Sequence, residues 1–576
     1  MKLFQKKAAL LNMLIALNVI FFAGAHAQEN INIGVISDIH IHNIYPDKDS
    51  AALRYFYDST KHKAVLIRTL TSEMNSTRLF NENYYALHQA LTDIAKKGIK
   101  LVIIPGDYSD DGQLVNLLLV KEVLSFYEEK YQMRFLITNG NHDVNEPFEA
   151  ESGKKDFLGK DGNPTGVYSS ATLAKQPNDH VYPPLKVGGY NAVFNIMQSF
   201  GFSPSSKDLF YSTPYQSFNY DSYRYDTSAF SLRKRWYHYG NDSFPDLTYL
   251  AEPVKDLWVM AIDGNTFERI GKNNFENIGD GYQYLFQKNS LLTWIKKIAD
   301  EAAKRGKTLI AFSHYPVLDF NNQQSPALQK IFGKDKFQLG RVPGDSIQNF
   351  FAESGIPVFF AGHLHINQHG YLKGKAQNGI WNIQVPSLAA FPPAYKIASI
   401  NKKRIIIKTQ ALKKVVHYND LFDYYKHEKK DNALSIILDS SHNYYTFTKS
   451  HLLYLARNRF YNSDFSDPKW EMYKNTTSKH WVSEAFMNHL SAKEKKTFSQ
   501  LTFMDVVNDL YLLRNANDFG IKEIAIERLQ LYYKWAKLAS SATFHKSPLD
   551  ELITIIQKLK DNSVPTLKTV IRLSAQ

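Results

Sequence analysis

Six short apolar runs, at 31–37, 99–105, 134–138, 257–262, 307–313 and 356–361, each stop abruptly at polar turn residues. Apolar, β-branched runs of this length bounded by turn residues read as buried strands. Helical periodicity lies between several of them. The clearest case is 82–97, where Leu87, Leu91 and Ile94 share one face and Gly98 stands as a C-terminal cap. Strand alternating with helix argues for an α/β architecture. Two further strand-like runs, 380–385 and 403–409, follow with no helix between them and read as antiparallel additions to the sheets.

From about residue 412 the texture changes. Helical stretches at 492–514, 521–536 and 549–560 dominate, with few β-branched clusters. The expectation is an α/β domain over 28–411 followed by a helical accessory domain over 412–576. A chain of 576 residues exceeds what one hydrophobic core usually serves, which fits this division.

Residues 1–27 read as a secretory signal peptide: Lys2, Lys6 and Lys7 precede an apolar run over 8–23, and Ala25-His26-Ala27 fits a cleavage site. The competing reading, an uncleaved anchor, suits this run less well because it is short for a bilayer crossing. No later stretch is apolar enough to span a membrane. The chain is therefore expected to be exported, either periplasmic or secreted. It contains no cysteine, so it cannot use disulfides outside the cytoplasm. The formal net charge of +13 suits anionic substrates.

The ligand-type residues sit just past the strand runs. Asp38 and His40 follow the first, Asp107 the second, Asn141, His142 and Asp143 the third, His314 a later one, and His363 and His365 the last. Open α/β sheets build their sites at such carboxyl ends, where side chains distant in sequence converge. In order, the strings are Ser37-Asp38-Ile39-His40, Gly106-Asp107, Gly140-Asn141-His142-Asp143, Ser313-His314-Tyr315-Pro316 and Gly362-His363-Leu364-His365. Any one of them is weak, and a histidine taken alone is more often structural. The five together, in this order, resemble the calcineurin-like metallophosphoesterase superfamily over roughly 31–409.

That resemblance implies a four-layer αββα sandwich of two mixed sheets with a binuclear metal centre at one edge. It places Asp38, His40, Asp107 and His365 on one metal and Asp107, Asn141, His314 and His363 on the other, with Asp107 bridging. Carboxylate and imidazole together suit iron, manganese or zinc in divalent or trivalent form. A bridged pair about 3.5–4 Å apart would generate a bridging hydroxide that attacks the phosphorus of a small mono- or diester. His142 would assist the leaving oxygen, oriented by Asp143. Purple acid phosphatases of the superfamily carry a ligand tyrosine shortly after this aspartate and lack the first histidine; here His40 is present and Asp110 stands three residues after Asp107.

Other features carry weaker readings. His42, His88, His238 and His369 match no motif and are expected to be structural or solvent-facing. Arg233-Lys234-Arg235 is expected on a solvated face, with a phosphate clamp as the alternative. The aromatic-rich insertion at about 148–250 either roofs the site and selects substrate or packs a subdomain. Basic residues form no long stripe with interleaved aromatics, so nucleic acid is set aside as a partner. A catalytically idle binding protein on the same fold is the competing function.

Overall fold

The computed structural model describes residues 30–45, 56–59, 61–375, 379–429, 432–541 and 547–573; the leader read at 1–27 lies outside them. Two mixed sheets form its centre. In chain order their strands are β1 (Ile31–Val35), β2 (Leu101–Ile104), β3 (Arg134–Ile137), β4 (Tyr211–Ser212), β5 (Tyr249–Val254), β6 (Leu257–Ile262) and β7 (Thr308–Ser313). There follow β8 (Val358–Ala361), β9 (His369–Lys373), β10 (Gly379–Gln384), β11 (Ala394–Asn401), β12 (Arg404–Ala411) and β13 (Lys568–Arg572).

The first sheet runs β13-β12-β11-β1-β2-β3 and the second β9-β10-β8-β7-β6-β5-β4. In each, a parallel block carries the polar strand ends: β1-β2-β3 in one, β6-β7-β8-β10 in the other. Antiparallel strands complete both sheets.

Side-chain alternation explains the stacking. Leu257, Val259 and Ala261 of β6 share one core with Ile33, Val35 and Ile103 of the first sheet. Trp258, Met260 and Ile262 point the other way, into a second core beneath helices Asn289–Lys304 and Asp345–Glu353. A period of two puts neighbouring residues on opposite faces, so a strand with both faces buried reads as a continuous apolar run. Helices Asn83–Lys96 and Leu114–Tyr131 cover the outer face of the first sheet through Leu87, Leu91, Ile94, Val120 and Leu124. The result is the αββα sandwich with a helical C-terminal region.

Two features of that region differ from the sequence reading. The stretch expected to be one helix over 492–514 is two, Ala492–Gln500 and Phe503–Ala516. Thr502 breaks it, because its side chain accepts from the Asp505 amide in a capping box that starts a new helix. The region also ends in a strand: β13 pairs antiparallel with β12, Ile571 opposite Ile405. The helices divide their packing as well. Tyr418, Tyr425, Tyr444 and Phe447 belong to the core of the first sheet, whereas Trp470, Phe503, Tyr532 and Trp535 build a core of their own that takes in Leu328, Ile331 and Phe337.

The insertion packs. Phe200, Phe202, Tyr211 and Tyr249 fill the first core, and Phe210, Phe218 and Tyr220 gather around Trp258. Arg235, expected in solvent with its neighbours, is fully buried and donates to the Tyr211 hydroxyl at 3.1 Å; Arg233 and Lys234 are exposed. His42, His88 and His369 are held by Leu66, Tyr127 and Thr569, and His238 lies at the surface beside Ser243.

Candidate metal centre

The ends of β1, β2, β3, β7 and β8 converge on one point. The turns that carry the side chains are backbone outliers: Asp38, His40, Asp107, His363 and His365 all have φ between 48° and 73°. Such left-handed conformations are costly for residues with a Cβ and persist where the surroundings enforce them, often at functional sites. The adjacent glycines are sterically required. A Cβ on Gly140 would collide with the Asp107 carboxylate, and one on Gly362 with Asp38 and Ser37.

Two donor clusters result. Asp38, His40 and His365 form one, with His40 Nε2 2.9 Å from His365 Nε2 and Asp38 Oδ1 3.5 Å from that same nitrogen. Asp107, His314 and His363 form the other: His314 Nε2 lies 3.2 Å from Asp107 Oδ2 and 3.1 Å from both Asn141 Oδ1 and His363 Nδ1. Asp107 Oδ2 is also 3.6 Å from His40 Nε2, so this carboxylate lies between the clusters.

The tautomers follow from the outer contacts. His314 Nδ1 donates to the Pro105 carbonyl at 3.0 Å, and His365 Nδ1 to the Thr77 carbonyl at 3.1 Å. His363 Nε2 lies 2.5 Å from Asp280 Oδ1. With the His314 and His365 protons placed outside, His314 Nε2 and His365 Nε2 face carboxylate and amide oxygens, and His363 Nδ1 faces His314 Nε2. Lone pairs facing lone pairs at hydrogen-bond distance call for a cation between them.

Electrostatics agree. Burial holds His40 well below its ordinary range and His363 down to about 4, keeping both as neutral donors. Burial would raise Asp107, but the imidazoles of His314, His142 and His40 hold it well below the carboxylate range. Burial likewise would lower His314, yet the Asp107 charge lifts it to about 9, so without a metal the cation held between these groups is a proton on His314 Nε2, which a metal ion would displace. Among the described residues Asp38 Oδ2 and His40 Nδ1 are buried without a hydrogen-bond partner. The donor set fits two metal ions sharing Asp107.

His142 stands beside this centre. Its backbone N–H donates to Asp107 Oδ1 at 2.8 Å, and its ring meets that of His40 edge-on. Its expected partner is corrected: Asp143 is spent elsewhere, accepting from the Gly140 amide through Oδ2 and from the Ser109 amide and hydroxyl through Oδ1. It thereby locks the 140–143 turn onto the Asp107 turn. The imidazole Nδ1 instead meets Asp111, which Lys154 also holds. Arg78 Nη2 bonds Asp110 at 2.6 Å and comes within 3.5 Å of the His142 ring. Burial and Arg78 bring His142 down to about 4. Sequence reasoning missed Asp111, Arg78 and Asp280, because none belongs to the five motifs; adjacency to Asp107 was the only signal, and only for Asp111.

The centre opens into a cleft of about 640 Å³ lined by Asp107, Asn141, His142, His363 and His365 at its base. Among the described residues no part of 148–250 lines this cleft, so the insertion does not roof it. The other walls come from 334–341 and from the C-terminal helices.

Two mixed sheets deliver an Asp/His/Asn cluster whose two halves share one carboxylate, a donor set that fits a binuclear metal centre. The chain belongs to the calcineurin-like phosphoesterase family, whose model matches residues 31–367. No curated protein matches it. Among solved structures, a dimetal phosphatase from Danio rerio is 12% identical, with a TM-score of 0.33 over 66% of this chain and 97% of that one. A putative 5'-nucleotidase from Staphylococcus aureus is also 12% identical, with a TM-score of 0.29 over 66% of this chain; the alignment covers 53% of the nucleotidase. GAP50 of Plasmodium, described as the anchor in the inner membrane complex, is 11% identical, with a TM-score of 0.28 over 67% and 86% of the two chains.

Proposed function

We propose that this protein is an exported phosphoesterase that hydrolyses a small phosphate mono- or diester at a two-metal centre. The observation that carries the reading is the pair of inward-facing donor clusters joined by Asp107, with His142 beside them at the base of an open cleft. Asp38, His40, Asp107 and His365 would hold one ion, and Asp107, Asn141, His314 and His363 the other. Iron, manganese and zinc all suit these donors. Such ions supply Lewis-acid charge for phosphate oxygens and acidify water.

The chain's own residues do the rest. Asp111 takes His142 Nδ1, which leaves Nε2 for the cleft. A phosphate dianion arriving beside that ring raises its proton affinity, so a proton is drawn to the place where the leaving oxygen needs one. Arg78, anchored by Asp110, adds positive charge on the same side. Export rests on the leader at 1–27; among the described residues no helix is long and apolar enough to cross a membrane.

The test is metal analysis together with phosphate release from 4-nitrophenyl phosphate and bis(4-nitrophenyl) phosphate after loading with manganese, iron or zinc. Two metals without turnover of either ester would favour the idle binding protein. N-terminal sequencing of the mature chain, expected near Gln28, tests export.

A further inference from the structure

A phosphate group needs only the base of the cleft, yet its volume falls in the range of about 300–1,000 Å³ that encloses whole small ligands. The remainder is walled by residues far from the metal centre in sequence: 334–341 on one side, 451–464 on the other, with Tyr511 and Arg514 behind. Charge on this outer wall is one-sided. Lys336 Nζ donates to the Ser463 carbonyl and Arg459 Nη1 to the Asn75 carbonyl at 3.1 Å, while Lys334 is exposed at the rim. Among the described residues none of these three cations forms an ion pair with a carboxylate. Two acids share this wall, Asp335 and Asp464, the latter also accepting from the Tyr511 hydroxyl, and they are outnumbered by these three cations together with Arg341 and Arg514.

Backbone and packing hold these cations in place. Residues Ala456–Phe460 form a π-helical turn between helices Tyr444–Leu455 and Tyr461–Asp464, a distortion frequent at functional sites, and it carries Arg459 and Phe460 on the cleft wall. Phe460 stacks on Tyr511 at 4.7 Å between centroids, and Tyr511 on Phe337 at 5.7 Å. These stacked rings line the cleft next to the cations, Phe337 following Lys336 and Phe460 following Arg459 in the chain. Arg459 is tied to the metal centre through the 75–77 segment, whose Thr77 carbonyl holds His365.

We propose that Lys334, Lys336 and Arg459 form a second oxyanion subsite, so that the substrate is a phosphate ester whose leaving group carries another oxyanion across a short linker. This rests on the phosphoesterase reading. Guanidinium and ammonium together suit a phosphate or a carboxylate there.

Calorimetric titration of the manganese-loaded full chain with butane-1,4-bisphosphonate, 5-phosphonopentanoate and butylphosphonate tests this without turnover. The bisphosphonate should bind roughly tenfold or more tightly than butylphosphonate, equivalent to about 1.4 kcal/mol, a ratio that shrinks as salt is added. Lys334→Gln, Lys336→Gln and Arg459→Gln combined should bring the ratio below about three, and Lys334→Gln alone, at an exposed position, should lower it part-way. A preference shared by the phosphonocarboxylate assigns any oxyanion, and one confined to the bisphosphonate assigns a second phosphate. A wild-type ratio near one, or a triple variant that keeps the wild-type ratio, overturns the subsite. Failure of the wild type to bind butylphosphonate counts against the phosphoesterase reading itself.

Discussion

Asp280 Oδ1 lies 2.5 Å from His363 Nε2 on the side of the ring away from His314, and its other oxygen meets Arg341 Nε at 3.2 Å. The carboxylate sets a negative charge against this face of the ring, and although burial opposes it, His363 with Arg341 holds Asp280 down to about 2. Carboxylates that orient ligand imidazoles typically account for about ten- to a hundredfold in metal affinity. We expect Asp280→Asn to weaken one of the two metals by about tenfold and leave the other in place, read by metal content during chelator competition. Equal retention of both metals by variant and wild type would show that the contact is incidental.

Asp107 lies between the two donor clusters, whereas His142 bonds it only through its backbone amide. Asp107→Ala should therefore lose both metals. His142→Ala should keep both while kcat falls by about a hundredfold or more, the usual size of a general acid or base contribution. Metal loss of the same extent in the two variants would contradict these roles.

Asp111 gives a graded version of that experiment. Asp111→Asn keeps a hydrogen-bonding group against the His142 ring but removes the charge, and kcat should drop by about tenfold with metal content unchanged. The readout that separates orientation from folding is the pH–rate profile, whose limb assigned to His142 should move. A profile superimposable on the wild type would assign Asp111 a structural role.

Glu73 and Glu82 are fully buried and share the Tyr425 hydroxyl, at 3.0 and 2.7 Å. Burial raises both above the ordinary carboxylate range, and the Glu73 charge pushes Glu82 further. The folded protein thus keeps a proton that the unfolded chain releases near pH ~4.3, so stability falls as pH rises from there through the raised folded value. Glu82→Gln should flatten this decline: in urea unfolding its stability relative to the wild type should grow from pH 5 to pH 9. A difference that is constant across this range would sink the idea.

The fold and the converging strand ends were legible in the sequence for one reason. A strand buried on both faces writes itself as an unbroken apolar run, and the residue that ends it, such as Asp38 or His314, is the one displayed at the sheet edge. What was illegible is long-range. Asp280 meets His363 from a 3-10 turn 83 positions earlier in the chain. Arg459 reaches the cleft through a π-turn that no periodicity announces. The aromatics of 148–250 read either as a roof or as subdomain packing, because composition records that rings are plentiful, not which face they bury. Strand β13 went unread since five residues with Thr569 and Ile571 inward are too few to stand out after long helices.

That last strand lies beside β12, three places from β1 in the same sheet, so the opening and closing stretches of the described chain share one hydrogen-bonded surface. A ribosome delivers the two hundreds of residues apart. Until the final segment emerges, β12 is a bare edge, and the sheet that presents Asp38 and Asp107 is incomplete. The sheet that carries Asp38 and Asp107 is in this sense closed by the last strand of the described chain, like a belt fastened by its tongue.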